Sequence, residues 1–159
     1  MKLNLGCGDM LLGGFTNIDL YNPKADVRCD VKSLPFEDES VELIYSSHVI
    51  EHFHFFEIWD VLLEWKRVLK KGGILEIETP DLLASCKRFV EASEQERIGL
   101  LYAHFFSCPW EDGQWHKFLF TESQLRWTLD KLGFKNIERR PALRYIGREN
   151  ICLKMVAQK

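Results

Sequence analysis

A strand that runs straight into a glycine turn, with a second strand close behind it, constrains this chain more than any other feature. Leu3-Asn4-Leu5 reads as a short buried strand that ends in Gly6-Cys7-Gly8. Asn17-Ile18-Asp19-Leu20 reads as the second strand, closed by Asn22-Pro23. Only residues 6 to 16 separate the two. A crossover between parallel strands ordinarily takes a dozen or more residues and commonly holds a helix. At most a short helical turn fits here, so the first crossover is shortened.

Further along, the apolar pattern switches between strand and helix. Ala25 to Cys29 is a candidate third strand, Leu34 to Ser40 a turn-rich loop, and Val41 to Tyr45 an apolar strand with β-branched residues. Ile58, Val61, Leu62, Trp65, Val68 and Leu69 recur at helical spacing. By this reading Lys70 and Lys71 lie in the helix's last turn, where cations suit its dipole, and Gly72 stops it. Ile74 to Glu78 is the next strand. Asp81 caps a helix through about Ala92, and Glu94 to about Phe105 is helical too. Thr121-Glu122-Ser123-Gln124 has the spacing of a capping box, and its helix ends at Leu132-Gly133. Phe134 to Arg139 and Ile151 to Ala157 form a last pair of strands, joined by a loop holding Pro141 and Gly147. Strands alternating with helices predict an α/β fold, a Rossmann-like three-layer sandwich with helices on both faces of a mostly parallel sheet. No linker or repeat divides the chain, so residues 1–159 read as one domain.

Composition narrows the function classes. No apolar run of about 18 residues is present, which speaks against a membrane span. The opening Met1-Lys2-Leu3 has no basic-then-apolar leader, so a cytoplasmic location is expected. Five scattered cysteines without a C-x-x-C pair fit free thiols in a reducing compartment and not a cysteine zinc site. A net charge of −3 argues against nonspecific nucleic-acid binding. The charge is uneven, however. Residues 1–120 carry 12 Lys/Arg against 20 Asp/Glu, and residues 121–159 carry 9 against 4. The basic end is either a solvated face or a site where Arg139, Arg140, Arg144 and Arg148 meet an anion.

In such sheets ligands lie beyond the carboxyl ends of the strands, where strand order reverses. Gly6 and Gly8 permit positive φ and a close backbone approach. The third glycine of a nicotinamide fingerprint would fall on Leu11, which disfavours that cofactor. Asp19, ending the second strand, suits the two hydroxyls of a ribose. Asp30, after the third strand, suits an adenine amino group. The order continues through Leu34-Pro35-Phe36, then Ser46-Ser47-His48-Val49-Ile50-Glu51-His52, then Arg67-Val68-Leu69-Lys70-Lys71-Gly72-Gly73.

With these motifs in sequence, the chain resembles the class I S-adenosylmethionine-dependent methyltransferases. The likeness is to a small bacterial subgroup whose first motif is N-L-G-C-G. It covers residues 3 to 81 closely and the remainder loosely. The resemblance implies a seven-stranded sheet with an antiparallel last strand and S-adenosyl-L-methionine as cofactor. It implies cofactor contacts from Asn4, Gly6, Cys7, Gly8, Asp19, Leu20, Asp30, Val31, Ser46, Ser47 and His48. Asn4 stands where an acidic residue is common. The chain opens on the first strand, so the N-terminal helical cover often seen over such sites is expected to be missing. Residues 82–120 are then the cover or substrate-side insert.

Methyl transfer is an in-line displacement that needs alignment, exclusion of water and, for a hydroxyl acceptor, a base. His48, His52 and His116 are the candidate bases. No metal is expected, since His48, His52 and His54 do not make a closed ligand set. Residues 102–118 mix aromatics with Glu, Asp and His, which suits a sugar-like substrate, a flap or a homodimer contact. The expected function is methylation of a small molecule, such as a sugar or glycan precursor. The alternatives are a non-catalytic S-adenosylmethionine-binding subunit and a protein or RNA methyltransferase.

Overall fold

Leu3 and Leu5, Leu75 and Ile77, and Leu153, Met155 and Ala157 alternate along their strands and are at most 1% exposed, and this alternation assembles one sheet. The computed structural model describes residues 1–107, 114–142 and 151–159. Its strands are β1 (Lys2–Leu5), β2 (Thr16–Asp19), β3 (Val27–Arg28), β4 (Val41–Ser47), β5 (Leu69–Pro80), β6 (Lys135–Arg140) and β7 (Cys152–Gln158). They pair in the order β3-β2-β1-β4-β5-β7-β6. β1 to β5 run parallel, and β7 is antiparallel to both β5 and β6. The expected seven-stranded α/β sheet with its antiparallel last strand is therefore present. Strand order reverses between β1 and β4.

Among the described residues, four α-helices accompany the sheet: α1 (Phe55–Val68), α2 (Leu82–Glu91), α3 (Glu94–Leu100) and α4 (Glu122–Lys131). α1 buries Ile58, Val61, Leu62, Trp65 and Val68. Full burial of such side chains is worth roughly 1.5–3 kcal/mol each. Asp81 caps α2 by accepting from the Ala84 N–H, and Thr121 with Gln124 forms the expected box on α4. α3 has a box of its own from Ser93 and Glu96, and a wider helical turn, Leu101–Phe106, continues it.

One helix end differs from expectation. Lys70 and Lys71 are not in the last turn of α1, because Leu69 is already extended (φ −66°, ψ 136°) and pairs with Val41. Strand pairing outcompetes another helical turn, and Lys70 meets Glu42 at 3.1 Å instead. The cations of that last turn are Lys66 and Arg67.

Every described helix follows β4. The shortened crossover is not confined to the first loop, since residues 6–15, 20–26 and 29–40 all cross without an α-helix. The two sheet faces differ accordingly. Leu3, Ile44, Leu75 and Ala157, in register across four strands, are at most 1% exposed. In the adjacent row, Asn4 is buried, but Tyr45, Glu76 and Val156 are only half-buried.

Two asparagines hold the first of these loops in place of a helix. Asn4 and Asn17 are paired in register and nearly fully buried. The Asn4 Nδ2 donates to the Met10 carbonyl at 2.8 Å and to Asn17 Oδ1 at 2.9 Å. Asn17 Oδ1 also accepts from the Leu12 N–H at 2.8 Å, and its Nδ2 donates to the Leu12 carbonyl and to Asp26. Backbone groups that a helix would pair internally are satisfied here by side-chain amides.

Candidate active site

The carboxyl ends of β1, β2 and β4 meet at the strand-order reversal. Gly6 and Gly8 both have left-handed φ, +61° and +48°. A Cβ on Gly6 would lie 2.3 Å from Val49 Cγ2, so the turn admits no side chain there. Cys7 points inward and is 1% exposed, leaving only its backbone at the rim. Asp19 ties this turn to the next strand. Its Oδ2 accepts from the Gly8 N–H at 2.9 Å, and its Oδ1 from the N–H groups of Tyr21 and Asn22. Leu20 and Tyr21 project beside it, 42% and 62% exposed. Asp30 accepts from the Lys32 N–H at 2.9 Å, and the carbonyl of buried Val31 accepts from the Trp65 indole at 3.0 Å.

Of the residues the motifs imply for a cofactor, the structure brings the Gly6–Gly8 backbone, Asp19, Leu20, Asp30 and Val31 to one rim. Asn4 sits in β1 just before this turn, and its Nδ2 donates to Met10 and Asn17 beneath the 6–15 loop. Ser46 and Ser47 are buried at the end of β4, and Ser46 Oγ has no hydrogen-bond partner among the described residues.

Beyond β4 the three candidate bases come together around one carboxylate. His48 has φ +56°, a strained setting of the kind that concentrates at functional sites. Its N–H donates to the Glu78 carbonyl at 2.7 Å. A single 3-10 turn, Ile50–His52, then turns Glu51 inward to zero exposure. Glu51 Oε1 lies 3.0 Å from His48 Nδ1 and 3.9 Å from His116 Nε2, and Oε2 accepts from the Thr79 hydroxyl at 3.0 Å. The rings of His52 and His116 meet edge to face at 5.1 Å. Burial pushes the Glu51 carboxyl up, but the contact with His48 and the field of all three imidazoles outweigh it and hold the group below the usual carboxylate range. Burial pushes His116 down against the pull of Glu51, which favours its neutral ring. Glu51 is not among the candidate bases that the sequence offers. The H-x-x-E-H spacing was visible, but its inward turn and the arrival of His116 were not.

A second cleft of about 750 Å³ opens between α2, α4 and β6. It holds Lys87, Arg88, Arg126 and Arg139, with Asp81, Glu91 and Glu122 among them. Arg139 is already paired, at 3.1 Å to both Asp81 and Glu122, and Arg140 is paired with Glu138. These two arginines are therefore neutralised within the chain. Arg144, Arg148, Gly147 and residues 110–113 lie outside the described residues.

Comparison with known proteins bears on this geometry. Residues 16–77 match the family model described as a methyltransferase domain, a span from β2 into β5. No curated protein matches the chain by sequence. A solved S-adenosylmethionine-dependent methyltransferase from Archaeoglobus fulgidus superposes with a TM-score of 0.65 at 15% identity, covering 99% of this chain and 85% of that one. The 1,6-didemethyltoxoflavin N1-methyltransferase of Burkholderia thailandensis, solved with its substrate and S-adenosylhomocysteine, gives 0.65 at 17% identity, covering 99% and 70%. A putative methyltransferase of Haloferax volcanii, solved with the Trm112 activator, gives 0.60 at 15%, covering 99% and 81%. At these identities the solved structures establish the fold. Together with the match over residues 16–77, they make the chain similar to S-adenosylmethionine-dependent methyltransferases.

The rim residues fit that cofactor. The Gly6–Gly8 turn leaves backbone alone facing the end of β1, and half-buried Asp19 and Asp30 supply acceptors for hydroxyl and amino donors.

Proposed function

We propose that this chain methylates a small molecule, such as a sugar or glycan precursor. The observation that carries the reading is the convergence of His48, His52 and His116 on Glu51, directly beyond β4 and beside the Gly6–Gly8 turn. When bound, S-adenosylmethionine supplies a methyl group on a sulfonium and leaves as a neutral thioether. The chain's own work is then to hold, align and deprotonate. The Gly6–Gly8 backbone holds the methionine portion, Asp19 and Leu20 the ribose, and Asp30 and Val31 the adenine. Ser46, Ser47 and His48 flank the reacting end. A neutral imidazole accepts the acceptor's proton, an aid worth roughly 10²–10⁴-fold.

Residues 82–107 and 114–120 stand on the acceptor side in this reading. Cys29 and Cys86, as free thiols, support a reducing cytoplasm. The Burkholderia neighbour, with its small-molecule substrate, supports the acceptor class. The Haloferax neighbour, solved with an activator, favours a second reading in which a partner completes the site.

Thermal unfolding with S-adenosylhomocysteine tests the cofactor site, with NADH as control and Asp19→Ala beside the wild type. Ligand at 100 times its dissociation constant stabilises by about 2.7 kcal/mol. For a domain this size that is a rise of roughly 5–10 °C. A rise that Asp19→Ala weakens supports the reading. No rise at millimolar ligand sinks the stand-alone enzyme and directs the search to a partner.

A further inference from the structure

The Glu51 cluster has an electrostatic peculiarity that a proton relay does not resolve. His116 Nδ1 lies 2.8 Å from the His104 carbonyl, and His52 Nδ1 lies 3.1 Å from the Trp115 carbonyl. A carbonyl only accepts, so both Nδ1 atoms carry the hydrogen. In a neutral ring the lone pair then sits on Nε2. The Nε2 of His116 faces Glu51 Oε1 at 3.9 Å. Lone pair thus faces lone pair inside a buried site. His48 Nδ1, 3.0 Å from Glu51 Oε1, meets that oxygen from another side and leaves the approach of the His116 lone pair uncompensated. One ligand atom each from Glu51, His52 and His116 all lie within 4.8 Å of one another.

We propose that Glu51, His52 and His116 bind one divalent first-row transition-metal ion. Imidazole nitrogens with one carboxylate favour zinc, manganese, iron or cobalt over magnesium or calcium. The outer partners of a metal site are already in place. Each histidine is oriented through Nδ1 by a backbone carbonyl, and Thr79 holds the other oxygen of Glu51. Ligands about 2.1 Å from an ion sit roughly 3.0–3.5 Å apart, so the side chains close by about 1 Å on loading. Three protein donors leave coordination positions open. The ligand class for those positions is an oxygen donor, such as a hydroxyl or vicinal diol, whose ionisation the ion favours. The site therefore deepens the methyltransferase reading by naming hydroxyl-bearing acceptors.

The experiment uses the full chain, stripped with chelator and titrated with Co²⁺ followed by visible absorption. X-ray absorption of the Zn²⁺-loaded wild type counts imidazoles. His52→Ala and His116→Ala are compared with His54→Ala, and each is checked for its thermal shift with S-adenosylhomocysteine. One equivalent of Co²⁺ with ligand-field bands, two imidazoles on zinc, and affinity lowered in both ligand variants by more than about 100-fold support the site. Loss of even an outer partner costs roughly 10–100-fold. His54→Ala should bind like the wild type. Wild type without metal uptake, zinc held by thiolates, or ligand variants that bind as the wild type does would overturn it. A variant that fails to fold leaves the wild-type imidazole count as the deciding readout. Metal binding without the S-adenosylhomocysteine shift fails the cofactor reading alone, and the reverse outcome fails the metal site alone.

Discussion

Replacing Asn17 with alanine isolates the device that stands in for the missing first helix. The Asn17 amide accepts from the Leu12 N–H and from Asn4 Nδ2, and it donates to the Leu12 carbonyl and Asp26. Truncation leaves the Leu12 N–H and Asn4 Nδ2 short of an acceptor in a site where Asn4 is 1% exposed and Asn17 is 6% exposed. A buried polar group left unpaired costs roughly 1–3 kcal/mol. Two such groups, one near the surface, bring the expected loss to about 2–4 kcal/mol. At about 2–4 °C per kcal/mol, the melting temperature falls by roughly 5–15 °C. Urea denaturation reads the loss as a lower midpoint with an unchanged slope. The double variant with Asn4→Ala completes a thermodynamic cycle, and direct contact requires coupling above about 0.5 kcal/mol. A loss under about 1 kcal/mol, or additive single variants, would refute the argument that side-chain amides hold this crossover.

Gly6→Ala should destabilise by at least about 1–3 kcal/mol, because its Cβ would meet Val49 at 2.3 Å and its φ is +61°. Adding Val49→Ala should recover the steric part but not the backbone part, which chemical denaturation of both variants checks. Arg67 is 34% exposed, yet it bridges Glu64, Asp38 and the carbonyls of Leu34 and Phe36. Arg67→Lys should lose about 1–2 kcal/mol, since one ammonium cannot serve that fork. Faster hydrogen exchange should accompany it at the Leu34 N–H, which Glu64 accepts at 2.8 Å.

The strands were legible because β-branched and apolar residues alternate or run between turn residues. Thr121 with Gln124 and Asp81 announced their helices by local capping chemistry. The end of α1 was not legible, because pairing of Leu69 with Val41 is a contact across 28 positions that no local signal carries. The helix-free crossovers at 20–26 and 29–40 were hidden for the same reason. The place of Asn4 in the first motif speaks only of a ligand contact. The partners of its Nδ2, Met10 and Asn17, emerge only when β1 and β2 pair. The site shows the same limit. His48 and His52 stood out as neighbours in sequence, but Glu51 became the centre only through its burial and through His116, which arrives from 65 residues away.

The two outermost strands carry a consequence for self-association. β3 has only two residues, so it offers almost no unpaired backbone to a second chain. β6 is Lys135-Asn136-Ile137-Glu138-Arg139-Arg140, exposed along nearly all its length and broken in register between Lys135 and Glu138. Short margins and charged, irregular ones both resist strand addition from a neighbouring molecule. Copies of this chain are thereby steered away from fusing their sheets into a continuous ribbon, even at high concentration.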